Sequence, residues 1–323
     1  MKILHLNPKN ITTLPAHTLT IGNFDGVHLG HQAMLTALKK EAHSKGLATA
    51  IMIFEPQPRE FFNPNNPPAR LTSFDEKLTL LDEFGVDFII KASFNDEFRQ
   101  LSAHDFANML NALGTRHLVL GDDFRFGHDR TGDKYFLTTL GFSVESLATI
   151  KINETRVSST AIRQALSLGE LSHAKELLGR DYVMTGQVIH GDKIGRILDF
   201  PTANIQINRL KPALHGIFGA DIIAHKDGQL IDLYQCHQTG IKGLTPYSLF
   251  GAVNIGTRPS INGTQYRLEV HLPKFSGDLY GLTLTVIFTK YLHEEIRYPN
   301  LESLKAGIQK DVNELLAWQD THF

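Results

Sequence analysis

The stretch Gly22-Asn23-Phe24-Asp25-Gly26-Val27-His28-Leu29-Gly30-His31 decides how the first half of this chain is expected to fold. A short apolar run at residues 19–21 precedes it, and residues 31–42 have the spacing of an amphipathic helix. Glycines let a backbone approach phosphates closely, and the N-terminus of a helix presents free amides and the positive end of its dipole. The stretch therefore predicts a strand, an anion-binding loop and a helix, in that order.

Two histidines, His28 and His31, add side-chain donors to this loop. Nucleotidyl transfer needs an enzyme that positions a triphosphate and stabilises the charge that builds on the attacked phosphorus and the leaving pyrophosphate. Histidines three residues apart around Gly30 suit that chemistry, and no covalent nucleophile is required. The loop alone leaves the acceptor open, because an adenylyl- or cytidylyltransferase for another small molecule would also carry it.

Short apolar runs recur through the first half of the chain with amphipathic segments between them. These runs lie at residues 19–21, 47–54, 86–90 and 117–120. The second run is nearly unbroken, which is typical of a strand buried on both faces of a sheet. Ser73 with Glu76 forms a possible capping box, and Gly85 is placed to end the helix that it begins. The alternation predicts a doubly wound, Rossmann-like α/β domain.

After about residue 180 the sequence changes to short segments punctuated by Gly and Pro, with partial alternation of apolar residues. These segments lie at residues 182–189, 216–224, 268–272 and 282–288. They predict a small antiparallel β-barrel, closed by a C-terminal amphipathic helix for which Asn300 is the candidate N-cap. We expect one domain over residues 1–182 and another over 183–323, with an extended hairpin at 227–250.

The composition is that of an ordinary globular protein, with 42% hydrophobic and 20% charged residues in a chain of 323. A net charge of -2 is not typical of a nucleic-acid-binding protein, which normally has a basic face. No apolar run reaches the roughly 18 residues that span a bilayer, and the single cysteine, Cys236, fits a reducing compartment. The sixteen histidines show no spacing typical of zinc ligands. We expect a cytoplasmic monomer or transient homo-oligomer whose partners are small molecules, not nucleic acid or membranes.

The opening loop resembles the H-x-G-H signature that a nucleotidyltransferase superfamily shares with class I aminoacyl-tRNA synthetases. Its longer form is similar to that of prokaryotic bifunctional riboflavin kinase/FAD synthetases. Three further segments match that family in order: Phe54-Glu55-Pro56-Gln57-Pro58-Arg59, Gly121-Asp122-Asp123-Phe124-Arg125-Phe126-Gly127 and Val157-Ser158-Ser159-Thr160-Ala161-Ile162-Arg163. A tRNA synthetase is disfavoured, because the chain has neither a basic anticodon-binding region nor a Lys-rich second signature.

The resemblance implies two sets of site residues in the first domain, with His28 and His31 as its catalytic side chains. The set that surrounds ATP comprises Asn23, Asp25, His28, Gly30, His31, Asp123, Ser159, Thr160 and Arg163. The set that lies near the flavin comprises Pro56, Pro58, Phe62 and Phe126. Taken without the family, the Ser-Ser-Thr run fits a simple helix cap as well as a second anion cradle.

A second functional stretch, residues 186–204, reads G-Q-V-I-H-G-D-K-I-G-R-I-L-D-F-P-T-A-N. Gly191 and Gly195 make a flexible turn before a corner fixed by Pro201. Thr202 and Asn204 then offer neutral oxygen ligands, which suit a magnesium ion that keeps water and phosphate oxygens in its shell. From these residues alone, a turn stabilised by Thr and Asn side chains remains the alternative.

The same stretch resembles the riboflavin kinase signature G-x-V-x-x-G-x-x-x-G-R-x-x-G-F-P-T-A-N, and matching segments follow at residues 251–259, 268–272 and 278–281. The resemblance implies that Thr202 and Asn204 hold the magnesium of Mg-ATP and that Glu269 is the base acting on the ribityl hydroxyl. The ATP-binding set that it implies here comprises Gly191, Gly195, Arg196, Pro201, Thr202 and Asn204. The implied reactions are riboflavin and ATP to FMN, then FMN and ATP to FAD and pyrophosphate.

Two positions depart from the family pattern. Asp199 stands where the family has glycine, and His293 stands where it often has arginine. These departures keep open a flavin-binding or sensing module that has lost turnover.

Overall fold

The computed structural model describes residues 1–152, 155–191, 194–260 and 263–322. The chain forms two compact units. The first contains Met1–Pro68 and Lys77–Ala161, and the second contains Ala69–Glu76 and Ile162–Phe323. An eight-residue segment from the first half of the sequence is therefore part of the second unit. The domain boundary between residues 182 and 183 stays a prediction.

A six-stranded parallel sheet forms the first unit. Its strands are β1 (Lys2–Leu6), β2 (His17–Ile21), β3 (Ala48–Glu55), β4 (Phe88–Ser93), β5 (Thr115–Gly121) and β6 (Ser143–Leu147). They lie in the order β1-β4-β3-β2-β5-β6. Every residue of β2 is buried, because helices cover both faces of the sheet. The predicted doubly wound domain is confirmed, with its topological switch point between β2 and β5.

Helices lie between these strands and follow the last of them. They are α1 (Leu29–Lys45), α2 (Pro58–Phe62), α3 (Phe74–Glu83), α4 (Asp96–Arg99), α5 (Ala103–Ala112), α6 (Lys134–Thr139) and α7 (Ser159–Ser167), and the two-residue strands β7 (Lys151–Ile152) and β8 (Thr155–Arg156) precede α7. The capping box before α3 is confirmed: Ser73 N donates to Glu76 Oε2 at 2.7 Å, and Glu76 N donates to Ser73 Oγ at 3.2 Å. Gly85 follows that helix in the left-handed region, at φ 66°.

The second unit contains a closed antiparallel barrel. Its strands are β9 (Val183–Ile189), β10 (Thr202–Ile205), β11 (Gly216–Lys226), β12 (Gln229–Ile231), β13 (Leu249–Ser260), β14 (Gly263–His271) and β15 (Thr283–His293). Six of them close the ring β11-β13-β14-β10-β9-β15, because β15 pairs again with β11, and β12 extends the sheet. Val253, Leu268, Val270 and Val286 point inward and are buried, so the barrel interior is a packed core.

Helices of the described ranges complete this unit: most of α7, together with α8 (Leu171–Leu178), α9 (Ile194–Ile197), α10 (Leu233–His237) and α11 (Leu301–Asp320). The predicted N-cap of the last is confirmed, since Asn300 Oδ1 accepts a hydrogen bond from Ser303 N at 2.8 Å. Val312 of this helix packs with Leu198 and Phe200, which lie between α9 and β10. The predicted barrel with a C-terminal helix is therefore confirmed.

The expected extended hairpin at residues 227–250 is wrong beyond β12. The chain turns after Ile231 into α10, for which Asp232 is the N-cap, and the loop that follows is fixed by a buried carboxylate. Asp221 accepts hydrogen bonds from Leu244 N at 3.0 Å and Thr245 N at 2.7 Å. Asp232 and Asp221 accept hydrogen bonds from backbone amides that would otherwise pair between strands. These hydrogen bonds favour the helix and the loop over a longer hairpin.

A buried ion pair joins the segment Ala69–Glu76 to the rest of the second unit. Arg209 and Glu76 have side-chain exposures of 1% and 8% and form a close salt bridge. Arg209 also donates to Tyr182 Oη at 2.9 Å, and Glu76 Oε1 accepts from Thr185 N at 2.7 Å. Both charges are thus compensated by several hydrogen bonds, which is what makes burial of an ion pair tolerable.

Candidate active sites

The first candidate site lies at the switch point of the parallel sheet. The loop Gly22 to His28 leaves the carboxyl end of β2, and Gly121 to Asp123 leave the end of β5, its hydrogen-bonded neighbour. In open α/β sheets, ligands bind in the crevice outside these strand ends. Phe24 at φ 48° and Val27 at φ 39° both adopt left-handed backbone that such residues rarely take. Both side chains are fully buried, and their packing holds the strained backbone in this conformation. Strained backbone of this kind is common at functional sites.

The two histidines of the loop are stacked at the start of α1. Their ring centroids lie 3.7 Å apart with an interplanar angle of 15°. His28 is the N-cap, and its Nδ1 accepts a hydrogen bond from His31 N at 3.3 Å. Because an accepting nitrogen carries no proton, the neutral His28 ring holds its proton on Nε2. That nitrogen is the one that would donate to a phosphate at the helix N-terminus.

The Ser-Ser-Thr run meets the glycine loop although the two are far apart in sequence. Ser159 Oγ donates to Asp25 O at 3.0 Å. Ser158 caps α7, since its Oγ accepts from Ala161 N at 3.2 Å. The structure thus brings Asp25, Ser158 and Ser159 to one place and leaves Thr160 exposed beside them. The helix-cap reading and the anion-cradle reading are both compatible with this geometry.

The remaining ATP-site candidates differ in their surroundings. Asp123 is exposed and forms an ion pair with Arg156, with Nη2 to Oδ2 at 2.7 Å. Hydrogen bonding to this guanidinium lowers the pKa of the Asp123 carboxyl. Arg163 belongs to the second unit, where its Nε donates to Ala69 O. Asn23 is half-buried in the glycine loop.

The four flavin candidates of the first unit are placed differently. Phe62 is 62% exposed and packs edge-on against Phe94 at a centroid distance of 5.7 Å. Pro56 is exposed, and Pro58 is the first residue of α2. Phe126 is 6% exposed and packs in the hydrophobic core against Phe106. Phe62 therefore offers a ring to a ligand, whereas Phe126 is a core residue.

The second candidate site is built by strand register on the outer face of the barrel. In the ladder, Glu269 of β14 lies opposite Asn204 of β10 on one side and opposite Asn254 of β13 on the other. Thr202 lies opposite His271 by the same register. Residues opposite each other in a sheet project from the same face. The β10-β14 pairing thus brings four motif residues to one face of the barrel: Thr202, Asn204, Glu269 and His271.

A cavity of about 490 Å³ lies over this face. Its apolar wall is formed largely by α11 and by the residues before β10. That wall contains Leu198, Phe200, Ala252, Leu304, Ile308 and Val312. Thr202, Asn204 and Glu269 lie on its polar side. An apolar chamber of this size with a few convergent polar groups is typical of a site for an organic ligand.

Two glycines fit closely against the predicted magnesium ligands. A Cβ atom on Gly191 would collide with the side chain of Asn204, and one on Gly195 would collide with Phe200 O and lie 3.2 Å from Thr202 Oγ1. Only glycine allows the turn to pack this tightly against both ligands. Pro201 is exposed at the start of β10. The backbone of Arg196 lies in α9, and its side chain lies outside the described part of the structure.

Three lining residues were not assigned a role from the sequence: Asn254, Arg267 and His271. Asn254 Oδ1 is buried and has no hydrogen-bond partner among the described residues. His271 Nδ1 donates to Pro201 O at 3.0 Å, and burial lowers the pKa of this imidazole. The ring is therefore neutral near pH 7, with an accepting Nε2. Only the barrel register reveals these residues, although Asn254 and His271 lie in segments that match the family.

Comparison with known proteins separates the chain into the same two halves. Residues 11–161 match the family model described as FAD synthetase, and residues 178–319 match that described as riboflavin kinase. A bifunctional riboflavin kinase/FMN adenylyltransferase of Pseudomonas fluorescens is 43% identical over 91% of this chain and 90% of its own length. One of the same name from Escherichia coli K12 is 40% identical, with the same shares covered.

The chain belongs to the bifunctional riboflavin kinase/FMN adenylyltransferase family. The predicted enzyme class and function, synthesis of FMN and FAD, are thereby confirmed. The crystal structure of a macrolide-efflux protein from Streptococcus pneumoniae matches with a TM-score of 0.75 and 24% identity, over 96% of this chain and 97% of that chain. That likeness shows the fold alone.

The structure gives a reason for the departure of Asp199 from the family glycine. Its backbone lies in the left-handed region at φ 67°, which glycine takes freely and aspartate tolerates better than most residues. Its carboxylate forms a close salt bridge with Lys305 of α11. A glycine could supply the conformation but not this link between the kinase turn and the C-terminal helix.

Two negative observations concern the described residues. No three His, Cys, Asp or Glu side chains among them come together in a way that would hold a metal ion. None of the helices in the described ranges combines the length and apolar character needed to cross a bilayer. Thr202 and Asn204 are not among these four residue types, so the predicted magnesium site stays a prediction.

Proposed function

We propose that the cavity beneath α11 is the riboflavin kinase site and that the glycine loop at the sheet switch point is the FMN adenylyltransferase site. The observation that carries the kinase assignment is Glu269, held by register between Asn204 and Asn254 and facing a chamber of about 490 Å³. The adenylyltransferase assignment rests on the His28/His31 stack at the N-terminus of α1.

In the kinase site, Glu269 accepts the proton of the ribityl hydroxyl as that oxygen attacks the γ-phosphorus of ATP; the bond from this phosphorus to the β,γ-bridging oxygen breaks, and ADP leaves. A carboxylate can act in this way when it lies within hydrogen-bond reach of the hydroxyl. Thr202 and Asn204 share one face of β10, and the closely packed Gly191 and Gly195 add no side chain beside them, so the two residues fit the neutral oxygen ligands of a magnesium ion. Magnesium bound there would offset the negative charge of the phosphates.

In the adenylyltransferase site, the α-phosphate of ATP lies at the N-terminus of α1. The free amides and dipole of the helix, with Nε2 of His28, stabilise negative charge on the transferring group. Asn23, Asp25, Gly30 and Ser159 line the same place. FMN supplies the attacking phosphate oxygen, and the exposed ring of Phe62 offers a stacking surface to its isoalloxazine.

The test is incubation of the purified full-length chain with riboflavin, ATP and magnesium, followed by chromatography of the flavins. We expect FMN to form first and FAD to follow. Unchanged riboflavin would overturn the kinase assignment and leave the alternative of a flavin-binding module. FMN that never proceeds to FAD would overturn the adenylyltransferase assignment. A matched reaction with EDTA in place of magnesium tests the metal requirement.

Asn254→Leu tests whether the unmet oxygen of Asn254 binds riboflavin. We expect the KM for riboflavin to rise about three- to tenfold, which is the cost of one neutral hydrogen bond. Thermal stability should stay the same or increase, because a leucine of similar volume removes a buried acceptor that lacks a partner. An unchanged KM would show that Asn254 does not contact the flavin.

The proposed setting is a cytoplasmic protein, a monomer or transient homo-oligomer, that works on small molecules alone. The single cysteine, Cys236, is exposed in α10, which suits a reducing compartment. Gel filtration at several concentrations would detect self-association.

A further inference from the structure

The side chain of His293 has an unusual set of hydrogen-bond partners at the wall of the kinase cavity. It ends β15, and both it and Asp311 of α11 line the chamber. His293 Nδ1 lies 2.6 Å from Glu294 O, and Nε2 lies 3.0 Å from Asp311 Oδ1. A carbonyl oxygen and a carboxylate oxygen can only accept, so both ring nitrogens must donate. The geometry is that of an imidazolium cation.

The groups around this ring favour its charged form. From α11 the acidic side chains are Asp311 and Glu314, and the residues after β15 add Glu294 and Glu295. Although partial burial lowers the pKa of His293, the hydrogen bonds to Asp311 and Glu294 O and the charge of Glu314 raise it above its ordinary value.

Several other titratable groups lie near the ring. Tyr291 and Tyr298 have their pKa raised by burial, and His271 across the cavity has its pKa lowered by burial. His215 pairs with Glu295 at 3.6 Å. The residue of β11 opposite His293 is Ile217, which carries no charge. Of the described histidines that line the cavity, His293 is the one whose pKa is raised, because it alone is hydrogen-bonded to an acidic side chain there.

The Asp311 contact fixes the helix that forms the apolar wall. Ile308 and Val312, which line the chamber, lie within one turn of Asp311 on α11. The Asp311 side chain is 13% exposed, so its bond to His293 is shielded from water. A neutral imidazole has only one proton and can satisfy either Glu294 O or Asp311, but not both. Loss of the charge therefore removes one of the two hydrogen bonds and the electrostatic attraction between the ring and Asp311, which weakens the contact between β15 and α11.

We propose that His293 is a positioning residue of the kinase: its doubly protonated ring holds Asp311, and with it α11, where the helix closes the riboflavin chamber. This inference rests on the kinase assignment above. Arginine, which the family pattern often has here, keeps its charge at any physiological pH, whereas histidine does not. The interaction is fully present below the ordinary histidine pKa and is lost as the pH rises through the raised pKa. Riboflavin should thus bind more weakly at alkaline pH in this chain.

The test measures riboflavin binding by quenching of its fluorescence, and KM and kcat for FMN formation, between about pH 6 and pH 9. In the unmodified chain we expect KM for riboflavin to rise on the order of tenfold across the range, since a state that needs one proton loses up to about tenfold per pH unit above its pKa. The turnover number should change less. His293→Arg should flatten the profile, and Asp311→Asn should give the high KM at every pH.

The control is His173→Gln, which removes a histidine paired with Glu176 at 3.5 Å on α8, away from the cavity lining. Its profile should match the unmodified chain. A profile shared by His293→Arg and the unmodified chain would overturn the inference. Absence of FMN at every pH would instead overturn the kinase assignment, and the quenching profile then still decides the role of His293, because binding needs no turnover.

Discussion

Glu269→Gln should lower the turnover number for FMN formation by about 10²- to 10⁴-fold, the usual contribution of a positioned general base. The substitution keeps the volume and planar shape of the side chain and removes only its ability to take a proton. Because β14 is held between β10 and β13, the amide should occupy the place of the carboxylate. Riboflavin should still bind, so its KM should change little. Initial rates of FMN formation at saturating riboflavin and ATP measure the effect.

The chain supplies two controls for this result. FMN adenylylation by the same preparation should be unaffected, since it takes place in the other unit. Glu176→Gln removes a carboxylate exposed on α8 and should leave both activities intact. If Glu269→Gln kept more than about a tenth of the turnover number, a base that contributes at least 10²-fold would be excluded. Thr202 and Asn204 would then remain as the groups that position the phosphates.

His28→Ala should lower the rate of FAD formation from FMN by about 10²- to 10³-fold, the range found when one preorganised donor to a developing charge is removed. The reason is the tautomer: Nδ1 accepts from His31 N, which leaves Nε2–H as the donor. The kinase should keep its activity. Pyrophosphate release in the presence of FMN and ATP is the measurement.

His28→Asn separates catalysis from helix capping. Asparagine is among the preferred N-cap residues, so it can accept from the same turn of α1 while it lacks the imidazole. We expect it to preserve thermal stability better than alanine and to be as inactive. Recovery of FAD formation in His28→Asn would mean that His28 serves only as a cap.

Much of the fold is encoded in local patterns of the sequence. The unbroken apolar run of β3 and the glycines of the first loop suffice to predict a parallel sheet and a strand, anion-binding loop and helix in that order. Asn300 and Ser73 predict helix starts because capping is decided by neighbouring residues. The helix and loop that follow β12 could not be predicted, since the loop depends on hydrogen bonds to Asp221, a buried side chain of β11 that is more than 20 residues earlier in the sequence.

The site residues divide in a similar way. Motif positions such as Glu269 and Asn204 are readable from the sequence, but their alignment across β10 and β14 is a matter of register. Asn254 reads as an ordinary strand residue until the partner strands are known. The His293–Asp311 bond joins β15 to a helix, and no periodicity in either element predicts it. Phe126 is the opposite case. It belongs to a motif that matches the family, yet the structure places it in the hydrophobic core of the first unit.

The assignment of Ala69–Glu76 to the second unit has a consequence during synthesis of the chain. Glu76 leaves the ribosome long before Arg209, its partner 133 residues later in the sequence. Domains generally fold as units in the order in which they emerge. The first unit can complete its sheet once residue 161 is made. The second unit must bind the segment Ala69–Glu76, which is translated much earlier than the rest of that unit. Folding of the second unit is therefore completed late, because it requires contacts between segments that are far apart in the sequence.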